Sequence, residues 1–224
     1  MSDMISMAGL EATPHPPSPW RLKAQMLLGL SWVRTERIRP ALPEGVKPFS
    51  VFGWSLSGVA FVDYGPQGGE SVLSYRELLV AILVRRGLRV LVHIPQIWVD
   101  SAESLAGGRK LWAIPKEWAD FEGRIEGPLF SASQEGVSLS AVRTGKRWLA
   151  LPGWISTRMT LVQARSDGRI VETPNRMRAR VEILRGVSWD FSADSPLTRV
   201  SGQSRPFLSL FLRSAQVIFG RTPS

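Results

Sequence analysis

Apolar and polar residues follow one another along this chain in two ways, as alternation and as short continuous apolar runs, and both read mainly as strands. Residues 22–33 predict a strand, and 35–39 a short helical turn ended by Pro40 and Pro43. Residues 49–62 are long and apolar, with Gly53 and Gly58 suggesting bends or bulges. Residues 78–84 are apolar throughout, and periodicity alone does not assign them to helix or strand. Between 88 and 94, Leu88, Val90, Val92 and Ile94 share one face of an alternating strand. Asp100 followed by Glu103 resembles a capping-box start and Gly107-Gly108 a stop, so a short helix is expected between them.

The second half reads as a series of hairpins. Val137, Leu139 and Ala141 alternate with serines before a turn at Thr144-Gly145. Asp167-Gly168 is a hairpin signal between strands at 159–165 and 169–173, and Met177, Ala179, Val181 and Ile183 form another inward face. Gly65, Pro66, Gly68 and Gly69 make a turn without the lysine of a phosphate loop. Many strands and few helices predict a mainly β fold with minor α, a curved antiparallel sheet or barrel.

Composition narrows this picture modestly. The 224 residues are 44% apolar and 21% charged, an ordinary globular balance. The expected division is a proline-rich leader over 1–19 and a single domain over 20–224, with no internal repeat or second-domain linker. The leader lacks the basic and apolar regions of a signal peptide, and no apolar stretch is long enough to span a bilayer. There are no cysteines, so disulfides and thiolate metal sites are excluded, which fits a cytoplasmic setting. The two histidines, His15 and His93, have no ligand spacing, and no metal site or cofactor is expected. The net charge of +9 raises the question of nucleic acid. Arg176, Arg178 and Arg180 alternate, however, which places them on one solvated strand face and argues against a nucleic-acid groove.

No nucleophile elbow, dinucleotide loop or phosphate loop is present. One stretch does carry chemistry. Lys116 follows Pro115 and is preceded by Leu111, Trp112, Ala113 and Ile114. An ammonium among apolar neighbours loses hydration, which favours the neutral amine, a nucleophile towards carbonyls. Taken by itself, a Pro-Lys pair is also what a surface loop contains.

The longer string Gly107-Gly108-Arg109-x-x-Trp112-x-x-Pro115-Lys116 resembles the active-site segment of the acetoacetate decarboxylase family. The resemblance extends more loosely from Pro19-Trp20 through Leu42-Pro43, Tyr64 and Tyr75-Arg76-Glu77-Leu78 to about Phe121. It implies that Lys116 is the Schiff-base lysine, Glu77 the active-site glutamate and Arg109 the motif arginine, although Lys110 stands where the family has glutamate. Glu77 could equally be a solvated strand carboxylate, and Arg109 a structural partner of the sheet. Glu117 replaces the second lysine of many members. Met26 or Lys23 falls where a substrate-binding arginine is expected, and no second glutamate is evident between Val59 and Asp63.

The expectation is therefore a lyase of secondary metabolism that forms an imine between Lys116 and a keto or enal substrate, for decarboxylation or for aldol and dehydration chemistry. Trp54, Trp98 and Trp112 are candidates for binding an apolar substrate, or else core residues. A non-covalent cyclase or apolar small-molecule binder of the same fold is the rival. The expected partners are a small keto or apolar molecule and further copies of the chain, with neither nucleic acid nor membrane.

Overall fold

The computed structural model describes residues 13–65, 71–143, 145–193, 195–198 and 206–220. β1 (Trp20–Arg34) leads through a short helix α1 (Thr35–Ile38) and a 3-10 turn (Arg39–Ala41) into β2 (Lys47–Pro48), β3 (Ser50–Val51), β4 (Trp54–Tyr64), β5 (Tyr75–Arg86) and β6 (Arg89–Val99). Helix α2 (Ala102–Trp112) precedes β7 (Lys116–Trp118), β8 (Asp120–Gly123), β9 (Phe130–Gln134) and β10 (Val137–Arg143). The remaining strands are β11 (Lys146–Ala150), β12 (Ile155–Ala164), β13 (Ile170–Arg185), β14 (Ser188–Phe191) and β15 (Leu208–Phe219). None of the described helices is long and apolar enough to cross a membrane.

Seven strands close a barrel in the order β5-β4-β1-β15-β13-β12-β6, with β6 returning to β5. The mainly β barrel agrees with the expectation; its closure is mixed rather than wholly antiparallel. β12 meets β6 in parallel at Leu161 and Val92, and β7 adds to β6 in parallel after the crossover through α2. A separate four-stranded sheet, β14-β10-β9-β8, covers one side of the barrel.

That cover explains the continuous apolar runs. On β1, Leu22, Met26, Leu28 and Leu30 face the barrel interior, whereas Leu27 and Val33 face outward into the core shared with the second sheet. On β5, Glu77, Leu79, Ala81 and Leu83 face inward and Leu78, Val80 and Val84 outward. A wall buried on both faces has no polar side to alternate with. The undecided run at 78–84 is thus strand, and tertiary cover made it apolar throughout. Phe61 on β4 centres the outer core, with its ring 4.7 Å from Phe130 and 6.0 Å from Trp189.

Local expectations were corrected where tertiary contacts intervened. Gly53 does bend the chain, pairing its φ of 79° with Phe52 at 50° in the β3–β4 turn. Gly58 makes no bulge: pairing runs through it unshifted, and an added Cβ would lie 3.2 Å from Leu28. On β6, Val92 and Ile94 face inward as expected, but Leu88 is 103% exposed and Val90 half exposed, because the tip of the β5–β6 hairpin has no sheet over it. In β10 a register shift between Ser138 and Ser140 moves burial onto Leu139 and Val142, leaving Val137 exposed. The hairpin at Asp167-Gly168 forms as expected between β12 and β13, and Arg176, Arg178 and Arg180 are exposed. Gly145 leads from β10 to β11 in the other sheet; Thr144 and the turn residues Pro66, Gly68 and Gly69 lie outside the described residues.

Phe61→Ala should lower unfolding free energy by ~3–5 kcal/mol, because the aromatic cluster cannot collapse onto the space left. Leu88→Ala should change it by less than about 0.5 kcal/mol. Denaturant midpoints of the two variants against the parent check both.

Candidate active site

The path from α2 into β7 delivers Lys116 to the barrel. Ser101 is the N-cap of α2, its hydroxyl accepting from the Ser104 amide at 3.1 Å. Asp100, expected to cap, is taken instead by Arg76, whose backbone N and Nε each reach its carboxylate at 2.6 Å. The helix does not stop at Gly107-Gly108 but runs on to Trp112 and ends at Ala113 in the left-handed conformation (φ 56°). The two glycines serve as a contact surface. A Cβ on Gly107 would fall 2.5 Å from the Trp20 ring, and one on Gly108 would fall 2.7 Å from Cδ of Lys116. Pro115 then prevents helix from resuming, and β7 starts.

Alternation along β7 sorts its residues. Lys116 points in and is buried; Glu117 points out and accepts a hydrogen bond from Gln134 at 3.1 Å. The Lys116 Nζ donates to Glu77 Oε2 at 3.0 Å and to Ser104 Oγ at 2.7 Å, and lies 4.9 Å from the centre of the Tyr75 ring. The Tyr64 hydroxyl hydrogen-bonds Glu77, and Tyr75 hydrogen-bonds Ser104 and Tyr64. Burial, and after it the charge of Glu77, push both phenols well above their ordinary value of 10.0, so they stay neutral. These are both of the tyrosines in the chain.

Lys116 and Glu77 stand on the wall of a cavity of about 270 Å³ inside the barrel. Trp112 lines it too, packed edge-on against Trp20 at 4.7 Å and against Phe219 at 4.5 Å. The other residues singled out from sequence lie elsewhere. Arg109 donates through Nε to the Lys116 carbonyl at 2.7 Å, holding the lysine's backbone rather than lining the cavity. Trp98 follows the inward-facing Ile97, so it points outward into the core beneath the second sheet, bonding Gln134 at 3.0 Å. Trp54 starts β4 at the barrel's edge, 38% exposed, with Arg34 stacked 4.2 Å above its ring. Met26 lines the cavity, whereas Lys23 sits on the outer surface near Arg176 and Arg178.

Sequence reasoning passed over Ser104, Tyr64 and Tyr75 as site residues. Tyr75 was within reach of it: two positions before Glu77 on a strand, it must share Glu77's face. Ser104 carried no signal, since its place depends on how α2 docks.

A closed barrel enclosing a buried amine beside a carboxylate and two neutral phenols defines a class of small-molecule site suited to carbonyl chemistry. The chain belongs to the acetoacetate decarboxylase family, whose model matches residues 7–150. No curated protein sequence matches it. Among solved structures, the enduracididine biosynthesis enzyme MppR complexed with pyruvate is similar, with TM-score 0.63 and 16% identity over 96% of this chain and 90% of that one. An acetoacetate decarboxylase aligns with TM-score 0.62 at 15% identity, covering 97% and 92%. Acetoacetate decarboxylase from Legionella pneumophila subsp. pneumophila aligns with TM-score 0.62 at 13% identity, covering 95% and 93%. At these identities the likeness is one of fold.

Because both tyrosines share the site, alkaline titration isolates it. Their raised folded-state values mean that stability is full below the unfolded value of about 10 and drains as pH rises past it. Absorbance near 295 nm should show no tyrosinate in the native protein at pH 10. Its appearance should coincide with unfolding followed by circular dichroism, and an early tyrosinate signal from folded protein would contradict the burial.

Proposed function

We propose that the chain is an enzyme that joins the Lys116 amine to the carbonyl carbon of a keto or enal substrate. The supporting observation is the Lys116 Nζ, 3.0 Å from Glu77 and buried at the wall of an apolar cavity. Glu77 takes the proton of the ammonium, and the free electron pair attacks the carbonyl carbon. The carbonyl oxygen takes one proton from the attacking nitrogen and one back from Glu77, leaves as water, and an iminium forms. Its positive nitrogen accepts the electron pair of a bond broken at the neighbouring carbon, whether to hydrogen, to carboxylate or to a second carbonyl fragment. Glu77 and the hydroxyls of Ser104 and Tyr75 stand close enough to shuttle protons. Membership of a decarboxylase family and the fold shared with MppR support lyase chemistry of the decarboxylase or aldolase type. The apolar lining gives a second reading some support: a non-covalent cyclase or binder using the cavity's shape alone.

Reductive trapping tests the choice. With cyanoborohydride and a series of ketones at neutral pH, the mass of the reduced adduct should appear on the peptide containing Lys116. Lys116→Met and Lys116→Arg should both lose it, the second keeping a cation opposite Glu77 so that the fold is retained. Glu77→Gln should slow labelling by about 10²–10⁴-fold, the range of a positioned proton-transfer group. Turnover that survives in Lys116→Arg would favour the cyclase.

A further inference from the structure

The cavity's charges and shape say which carbonyl compounds suit it, given the imine reading above on which this step rests. Among the described residues lining it, the charged groups are Lys116 and Glu77, and they are paired with each other at 3.0 Å. Asn175 is already engaged, donating to the Thr173 carbonyl at 2.8 Å and accepting from the Gly220 amide at 3.0 Å. Among the described residues, a substrate carboxylate entering beside the lysine therefore finds no second cation. It loses its water, and it meets Glu77, a like charge.

The remainder of the cavity is a hydrocarbon channel. Glu77, Leu79, Ala81 and Leu83 descend one face of β5, so Ala81 lies ~13 Å from Glu77 at ~3.3 Å per residue. Met26, Met159 and Met177 add unbranched thioethers that adapt to a flexible chain. The cavity's 270 Å³ lies near the lower end of ordinary small-molecule pockets, ~300–1,000 Å³. We infer that the substrate is a neutral, elongated aldehyde or ketone, with its carbonyl at Lys116 and its apolar tail along β5 towards Leu83. The reaction then breaks or makes a bond to hydrogen or to a carbonyl fragment, without loss of carbon dioxide.

Three probes and one variant test this: 2-decanone, 2-butanone and acetoacetate, with the parent protein and Ala81→Phe, which fills the tail's path far from the lysine. Cyanoborohydride labelling of Lys116 reads imine formation. Quenching of the tryptophan fluorescence of Trp20 and Trp112 reads binding without it. The decanone should half-saturate labelling at a concentration at least about a hundredfold lower than butanone, given six further buried methylenes, and acetoacetate should label least. Ala81→Phe should narrow the decanone-to-butanone preference at least about tenfold. Acetoacetate labelling as readily as decanone would overturn the substrate class and leave the imine standing. Quenching by decanone without any labelling would overturn the imine and support the cavity's selection. No quenching by decanone, or a preference unmoved in Ala81→Phe, would overturn the tail's path.

Discussion

The Lys116 ammonium and the Glu77 carboxylate face each other at 3.0 Å with their side chains almost wholly out of water, and this pair constrains everything packed around it. Each ion alone would cost several kcal/mol to desolvate, and only close approach with further hydrogen bonds offsets that. Ser104 supplies one such bond to the amine, and Tyr64 another to the carboxylate. Space for the lysine comes from Gly108, where any side chain would collide with its methylenes. Arg109 and Pro115 fix the backbone on either side of the turn that aims it. The string from Gly107 to Lys116 is therefore one mechanical unit: a helix flat enough to lie against a lysine, a stop, and a strand start that turns Lys116 in and Glu117 out.

A second constraint is that the barrel wall is dry on both faces. The outer core around Phe61 ties the wall to the four-stranded sheet, and the inner one lines the cavity, with Trp20, Trp112 and Phe219 packed together in its wall. Strands packed on both sides hold their positions closely, and rigid elements place reactive groups better than loops do. Glu77 sits in the middle of this arrangement, on a strand paired with both β4 and β6. Positive charge, by contrast, collects outside. Arg176, Arg178 and Arg180 lie on the exposed face of β13, with Arg178 and Arg180 over the Trp154 ring. The net charge of the chain thus says little about the cavity, where Lys116, the one cation among the described lining residues, is already paired.

Alternation and turn chemistry in the sequence determined the strands at β1, β12 and β13, the turn at Gly53, the hairpin at Asp167-Gly168 and the exposed arginine face. These are local matters, decided by the two-residue strand period and by residues that accept unusual backbone angles. Tertiary structure decided the rest. Whether residues 78–84 were helix or strand depended on a second sheet covering them. Whether Gly107-Gly108 stopped a helix or served as a contact surface depended on Trp20 and Lys116 coming to rest there. Trp98 and Trp54 look like Trp112 in sequence, yet strand parity turned one outward and position at the barrel's edge left the other exposed. Ser104 joined the site only because α2 docks with that face against the barrel. The reason is the same each time: a residue's neighbours along the chain set its direction, and only the folded barrel sets what lies in that direction.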